Sequence, residues 1–257
     1  MRDDLASHYR WPFDENVPRE RFGIVVQGSN WLEKTLSLKA QLSARVIEHR
    51  GDRSELRRIA NYFIQEWGGI KRFDRAADVI DEFHDIIDSE AMPSSDYKFA
   101  FDGISSWSKW LTLACPIWAC IYDARVAYTL NVLNFINGGA ARIFPSPEGR
   151  NSKLKMFDIA SLLLADKVVT GDHPDPESLR EKYFVSRKDA YREYLCIIRN
   201  VSEHVWKDRR HLPHVEMMLF ALSDNVVYRN LFDSLVARRR VERLTPRTAE
   251  EGTSDRN

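Results

Sequence analysis

Two residues in this chain are spaced so that they could do covalent chemistry together. Lys109 sits inside the aromatic and apolar run SSWSKWLTLACPIW, and Asp123 follows where a second helix should begin. A lysine in apolar surroundings loses affinity for its proton and becomes a nucleophile near neutral pH. A carboxylate held at a helix start stays ionised and can stabilise a developing cation. Ser105, Ser106, Trp107, Trp110, Tyr122 and Arg125 surround the pair in sequence and are the candidate substrate contacts. Arg125 suits a phosphate or carboxylate. Flat aromatic rings can stack a base or simply fill a core.

The elements that must position this pair read as helix, turn, helix. Gly103 opens a tight turn, and Ser105 or Ser106 can cap the helix after it. Trp107, Trp110, Leu111 and Ala114 then share one side of a short helix from which Lys109 projects. Pro116 ends it, because proline disfavours helical geometry in its predecessor. Asp123 stands at the N-cap of the next helix, ahead of Ala124, Arg125, Val126 and Leu130.

Helical periodicity dominates the rest of the chain. The first helix is expected from Trp31 to His49, on Leu38, Leu42 and Val46. Further apolar stripes at three-four spacing run from Leu56 to Trp67, Phe73 to Ile87, Val126 to Leu133, Met156 to Leu163, Tyr191 to Val205 and Val215 to Leu222. Gly68–Gly69 and Gly138–Gly139 end two of them. Asp224 can cap a last helix through Val227, Leu231 and Leu235. Only 22–27, FGIVVQ, looks strand-like, and a lone strand can only be an edge or a packed arm. Loops fall at 89–96, 144–152 and 170–177. The expected fold is all-α, with 1–30 an N-terminal arm, 31–244 a single helical domain and 245–257 a disordered tail.

The run SSWSKWL…IYDARVAYTLN resembles the active-site segment of the helix-hairpin-helix DNA glycosylases, and most of all their 8-oxoguanine glycosylase-like branch. The likeness covers 103–131. It implies an all-helical fold with two lobes around a cleft. Lys109 then attacks the anomeric carbon of a damaged nucleotide and forms a Schiff base, while Asp123 supports the charge that builds as the base leaves. The implied activity is an N-glycosylase with β-lyase action on a modified purine, without a cofactor. The family hairpin carries two glycines just before the lysine, whose amides hold a DNA phosphate; here those places are Ser105 and Trp107, and Gly103 is out of register. This widens the substrate class to a single strand, a nucleotide or a nucleoside. The likeness extends to glycosylase-like proteins encoded in bacterial antiviral operons.

Other features bound the reading. Lys plus Arg and Asp plus Glu are both 38 in 257 residues, so the charge balance gives no evidence for nucleic acid. The three cysteines, Cys115, Cys120 and Cys196, lack framework or cluster spacing and read as free thiols. No apolar run reaches the ~18–20 residues of a spanning helix, so no membrane role and a cytoplasmic location are expected. Asp78, Asp81, Asp85 and Asp88 form a row that reads as a solvated face rather than a cation site. His204, His211, His214 and Glu216 recur like zinc ligands, but Pro213 interrupts them. Arg238, Arg239, Arg240, Arg243 and Arg247 make a basic patch that could meet phosphates or complement a helix end. Two classes remain: a nucleic-acid or nucleotide glycosylase, and a non-catalytic helical module binding nucleic acid or protein. For Lys109 the plain alternative is a solvated surface lysine.

Overall fold

A computed structural model describes residues 4–71, 74–89, 91–137, 142–147, 158–169, 175–223 and 226–244. Among these residues the fold is all-α: α1 Leu5–His8, α2 Asn16–Phe22, α3 Trp31–Glu48, α4 Arg53–Asn61, α5 Ala76–Glu82, α6 His84–Ser89, α7 Ile104–Ala114, α8 Ala124–Asn137, α9 Ile159–Val169, α10 Pro176–Tyr183, α11 Ala190–Trp206, α12 Leu212–Leu222 and α13 Val226–Leu244. The extended backbone pairs only once among them, in an isolated parallel bridge between Ile143 and Phe184. None of the described helices is long and apolar enough to cross a membrane.

The helix starts follow their local chemistry. The Asn30 side chain accepts from the Glu33 amide, and Glu33 reaches back to the Ser29 amide, so α3 begins at Trp31 as its sequence predicts. Asp52 and Asp175 cap α4 and α10 in the same way. Two differences are informative. The 22–27 run is not a strand: Phe22 ends α2, and among the described residues no second strand lies beside it. Its polar backbone is met by α3 instead: Gln27 N–H donates to Ser37 Oγ (3.0 Å), and Gln41 Nε2 donates to Val25 O (2.9 Å). The stripe expected through Ile87 breaks at Phe83, where the backbone leaves helical geometry between α5 and α6. The short helices α1, α2 and α10 carry too few apolar residues to show a period. The stops at Gly138–Gly139, the Asp224 cap and the tail beyond 244 lie outside the described residues.

Packing places α7 and α8 at the centre. The largest apolar cluster gathers α3, α4, α7, α11 and α12 with Val126, Ala127 and Leu130 of α8. A second cluster takes Tyr128, Val132 and Phe135 from the other side of α8 and joins them to α9, α10 and α13. Leu5 and Tyr9 of the N-terminal segment pack on Leu32 and Met217. Helix α8 therefore buries apolar residues on two sides because it is a shared wall. Helix α7 is more extreme: Ile104 and every residue from Trp107 to Ala114 are buried. A helix with no solvent face buries whatever it carries, Lys109 included.

Candidate active site

Helix α7 starts in a tight turn. Gly103 is its N-cap at φ +72°, a left-handed geometry that glycine adopts without strain, and its carbonyl accepts from the Ser106 and Trp107 amides. The cap is thus Gly103, two to three residues earlier than a serine cap would be. Ser105 and Ser106 lie inside the first turn. Lys109 is 5% exposed, and its Nζ donates to the Ser105 carbonyl one turn back (2.8 Å). Its stem packs against Gly68, where a Cβ would come within 2.7 Å of Lys109 Cε and 2.8 Å of Cδ. Gly68 follows a π-helical turn over Tyr62–Trp67, closed by Gly68 N–H to Phe63 O and stiffened by Phe63 and Trp67 stacked 4.2 Å apart. Such turns often stand at functional sites.

Asp123 caps α8 as its position predicts. Its Oδ1 accepts from both the Arg125 and Val126 amides at 3.0 Å. Oδ2 takes no part in the cap. The segment that brings Asp123 back from the end of α7 is irregular, yet 119–122 is buried, so its backbone groups need internal partners. Side chains from three helices supply them. Thr112 Oγ1 donates to Ala119 O, Tyr191 OH to Cys120 O, and Tyr194 OH to Ile121 O. Ser108 Oγ accepts from the Tyr122 amide (3.0 Å), and Glu216 Oε2 accepts from the Ile121 amide (2.7 Å).

Lys109 and Asp123 converge on one small cavity of about 40 Å³. Tyr9, Trp11, Trp67, Gly68, Ile121, Val126, Glu216, Met217 and Phe220 complete its wall. The two side chains form no ion pair, and both line this space. Burial lowers the proton affinity of the Lys109 amine. The Asp123 charge opposes that most, Glu216 opposes it further, and Lys39 reinforces it. A volume of this size holds no more than a few waters, since each needs about 10–15 Å³ of such space. The N-terminal segment closes the outer side. Trp11 Nε1 donates to Trp67 O (2.9 Å), its ring meets Phe220 edge-on, and the Arg125 guanidinium lies 4.5 Å from the Phe220 ring and 5.6 Å from the Trp11 ring.

The other expected contacts divide. The Arg125 guanidinium lies over the Phe220 ring of the cavity wall. Trp107, Trp110 and Tyr122 are core residues instead of cavity walls. Trp107 packs on Phe99 and Tyr191 and donates to Ala100 O, Trp110 is 0% exposed, and Tyr122 OH donates to Pro145 O. A base could stack on them only by opening the core. The aromatic walls that do face Lys109 are Tyr9, Trp11, Trp67 and Phe220, which no motif around Lys109 announces.

A buried ion pair completes the site. Lys39 Nζ of α3 meets Glu216 Oε1 of α12 at 2.6 Å, with 9% and 6% of their side chains exposed. Glu216 is therefore held by Lys39 and the Ile121 amide. Among the described residues no group of three or more His, Cys, Asp or Glu side chains converges as a metal site. His211 and His214 instead pack on each other and on Trp206. One signal for Glu216 lay in the sequence: it is the lone carboxylate of the apolar helix LPHVEMMLFAL. Comparison with protein-family models, curated proteins and solved structures finds no match to this chain.

Proposed function

We propose that the chain is an N-glycosylase with lyase character acting on a modified purine in DNA or a nucleotide, with Lys109 as nucleophile and Asp123 as the electrostatic partner. The observation that supports it is the meeting of a desolvated lysine amine and a helix-capping carboxylate in one aromatic-walled cavity. A neutral amine there has a free electron pair for the anomeric carbon, and the base leaves with the electrons of the glycosidic bond. Loss of the amine protons and opening of the sugar ring then give an imine, the species that borohydride reduces to a stable amine. The Asp123 carboxylate faces the positive charge that develops on the sugar. Its orientation is fixed in advance by the two α8 amides, so no reorganisation is needed during reaction.

The test is borohydride trapping with damaged single strands, duplexes and nucleosides. Wild type should form a covalent adduct with at least one of them, and Lys109→Gln should form none, because glutamine keeps the approximate size without an amine. A second reading is a helical binding module of the same architecture. The closed state of the cavity favours it, since about 40 Å³ does not admit a purine unless Tyr9 and Trp11 move. Base release by wild type that persists in Lys109→Gln removes Lys109 from the chemistry. Absence of adduct and of base release with every substrate selects the binding module.

A further inference from the structure

We propose that Lys39 and Glu216 are positioning residues for the Lys109 amine: the buried pair they form at the cavity wall sets how readily that amine gives up its proton. The role rests on Lys109 being the reactive amine. Glu216 is the second carboxylate of the cavity, after Asp123, and it is rigidly placed. One oxygen accepts from Lys39 Nζ at 2.6 Å and the other from the Ile121 amide at 2.7 Å. Both side chains come from helices packed against α7 or its following turn, and both residues are nearly without solvent, Glu216 at 4% and Lys39 at 7% exposure.

A buried ion pair is weak support for stability, because desolvation of two charges offsets most of their attraction. Its position is what gives this one a consequence. Glu216 walls the cavity that holds Lys109, whereas Lys39 does not. The carboxylate therefore acts on the lysine amine from nearby, and the Lys39 ammonium acts from behind it in the opposite sense. Without Glu216 the amine would face burial and a second ammonium with only Asp123 to retain its proton. Without Lys39 two carboxylates would hold the proton unopposed. The other groups near this space are the Tyr9 phenol, which burial keeps neutral, and the Arg125 guanidinium, which lies over the Phe220 ring of its wall. His214, near Lys39, has its proton affinity lowered by burial and is neutral in the alkaline range. Asp123 and Glu216 favour the proton of the amine, and Lys39 opposes it.

The same pair couples the amine to the geometry of the site. Glu216 holds the Ile121 amide two residues before Asp123, so the residue that tunes Lys109 also fixes the segment that delivers Asp123. This gives the test a way to separate tuning from structure. A purely structural Glu216 would, when replaced, loosen the segment without moving the titration of Lys109 in a defined direction.

The experiment reads the Lys109 titration without substrate. Protein labelled at the lysine ε-carbon is followed by carbon NMR from about pH 6 to 11, a span covering both lowered and ordinary lysine values, and the Lys109 signal is assigned by its loss in Lys109→Met. In Glu216→Gln the midpoint should fall by about one pH unit, a tenfold change in the neutral fraction. In Lys39→Met it should rise. The double variant keeps an amide oxygen for Ile121 N–H and leaves neither member of the pair as an unpaired buried charge. Its midpoint should lie below wild type and above Glu216→Gln, because Glu216 acts on Lys109 more strongly than Lys39 does. That variant answers the question if a single replacement does not fold. Midpoints equal to wild type in the folded variants, or shifts of the same sign in both singles, overturn the proposal. Borohydride trapping over the same pH range separates the two claims. Opposite NMR shifts with no adduct from any substrate sustain the charge pair and remove the glycosylase. Adduct formation with unmoved midpoints does the reverse.

Discussion

Replacing Gly68 by alanine probes the contact on which the Lys109 geometry depends. A Cβ at this position would lie 2.7 Å from the Ile64 carbonyl oxygen, 2.7 Å from Lys109 Cε and 2.8 Å from Lys109 Cδ. Ordinary carbon contacts lie at about 3.5–4.0 Å, so the lysine stem must retreat by roughly 0.7 Å or more. It has little room, because α7 is buried on every side. Overpacking of this kind costs about 1–3 kcal/mol. Gly68 itself is at φ −80°, which any residue tolerates, so alanine also regains about 0.4–1 kcal/mol by restricting the unfolded chain. The net expectation is a loss of about 1–2 kcal/mol, read by urea unfolding as a lower midpoint with unchanged slope. The lysine share is isolated by a double-mutant cycle. Lys109→Ala removes both crowded carbons, so Gly68→Ala should cost less in that background, with a coupling of about 0.5–2 kcal/mol. The Ile64 oxygen contact persists in both backgrounds and cancels. A coupling of zero, or a Gly68→Ala protein more stable than wild type, refutes the packing of the lysine stem on Gly68.

Three more outcomes are expected. Asp123→Asn keeps the amide acceptor at the α8 cap and should retain stability, yet lose ~10²–10³-fold in trapping rate, whereas Asp123→Ala should also lose about 1 kcal/mol of stability; equal trapping by Asp123→Asn and wild type would remove the electrostatic role. Because burial holds the folded-state value of Lys109 below its ordinary 10.5, the unfolded chain binds more protons between those two values, and the lysine's penalty on stability is relieved as pH rises through that window. The stability of wild type minus that of Lys109→Met should therefore increase towards pH 10.5 and stay flat at lower pH. Tyr128, pushed up to about 12 by burial, pulls stability down above its ordinary 10.0 but does so equally in both proteins. Trp11→Ala should speed acetylation of Lys109 by a small anhydride, followed by peptide mass spectrometry, at a stability cost of about 1–3 kcal/mol; an unchanged rate would show that Trp11 does not close the cavity.

The helices and the Asp123 cap were open to a reading of the sequence because their determinants are local. A three-four apolar stripe, an asparagine or aspartate before it and a glycine after it act within one or two turns. The same locality left FGIVVQ open between an edge strand and a packed arm, and its polar groups found α3 side chains. The burial of Lys109 follows from α3, α5 and the π-helical turn surrounding α7, which its own neighbours signal only faintly, through Ser108 and Thr112 where a surface helix would carry charges. The tryptophans beside Lys109 attracted a base-stacking role by proximity in sequence. In the fold, residues adjacent along a helix point to different neighbours, and these rings turned into the core.

What no local pattern reaches is the far wall of the cavity. Lys39 and Glu216 are 177 positions apart, and each alone looks like a stray charge on an apolar stripe. Tyr9 and Trp11 belong to an arm without periodicity of its own. These distant groups bear on the Lys109 amine: burial lowers its proton affinity, and two carboxylates from different elements oppose that. A lysine–aspartate motif is therefore only half of a site. Whether its amine is reactive depends on charges delivered from α3 and α12, and on whether the Tyr9–Trp11 segment leaves room for a substrate. The opposite shifts expected in Glu216→Gln and Lys39→Met address the first condition. The acetylation rate of Trp11→Ala addresses the second, and a reactive amine that stays closed to small anhydrides even then would belong to a binding module.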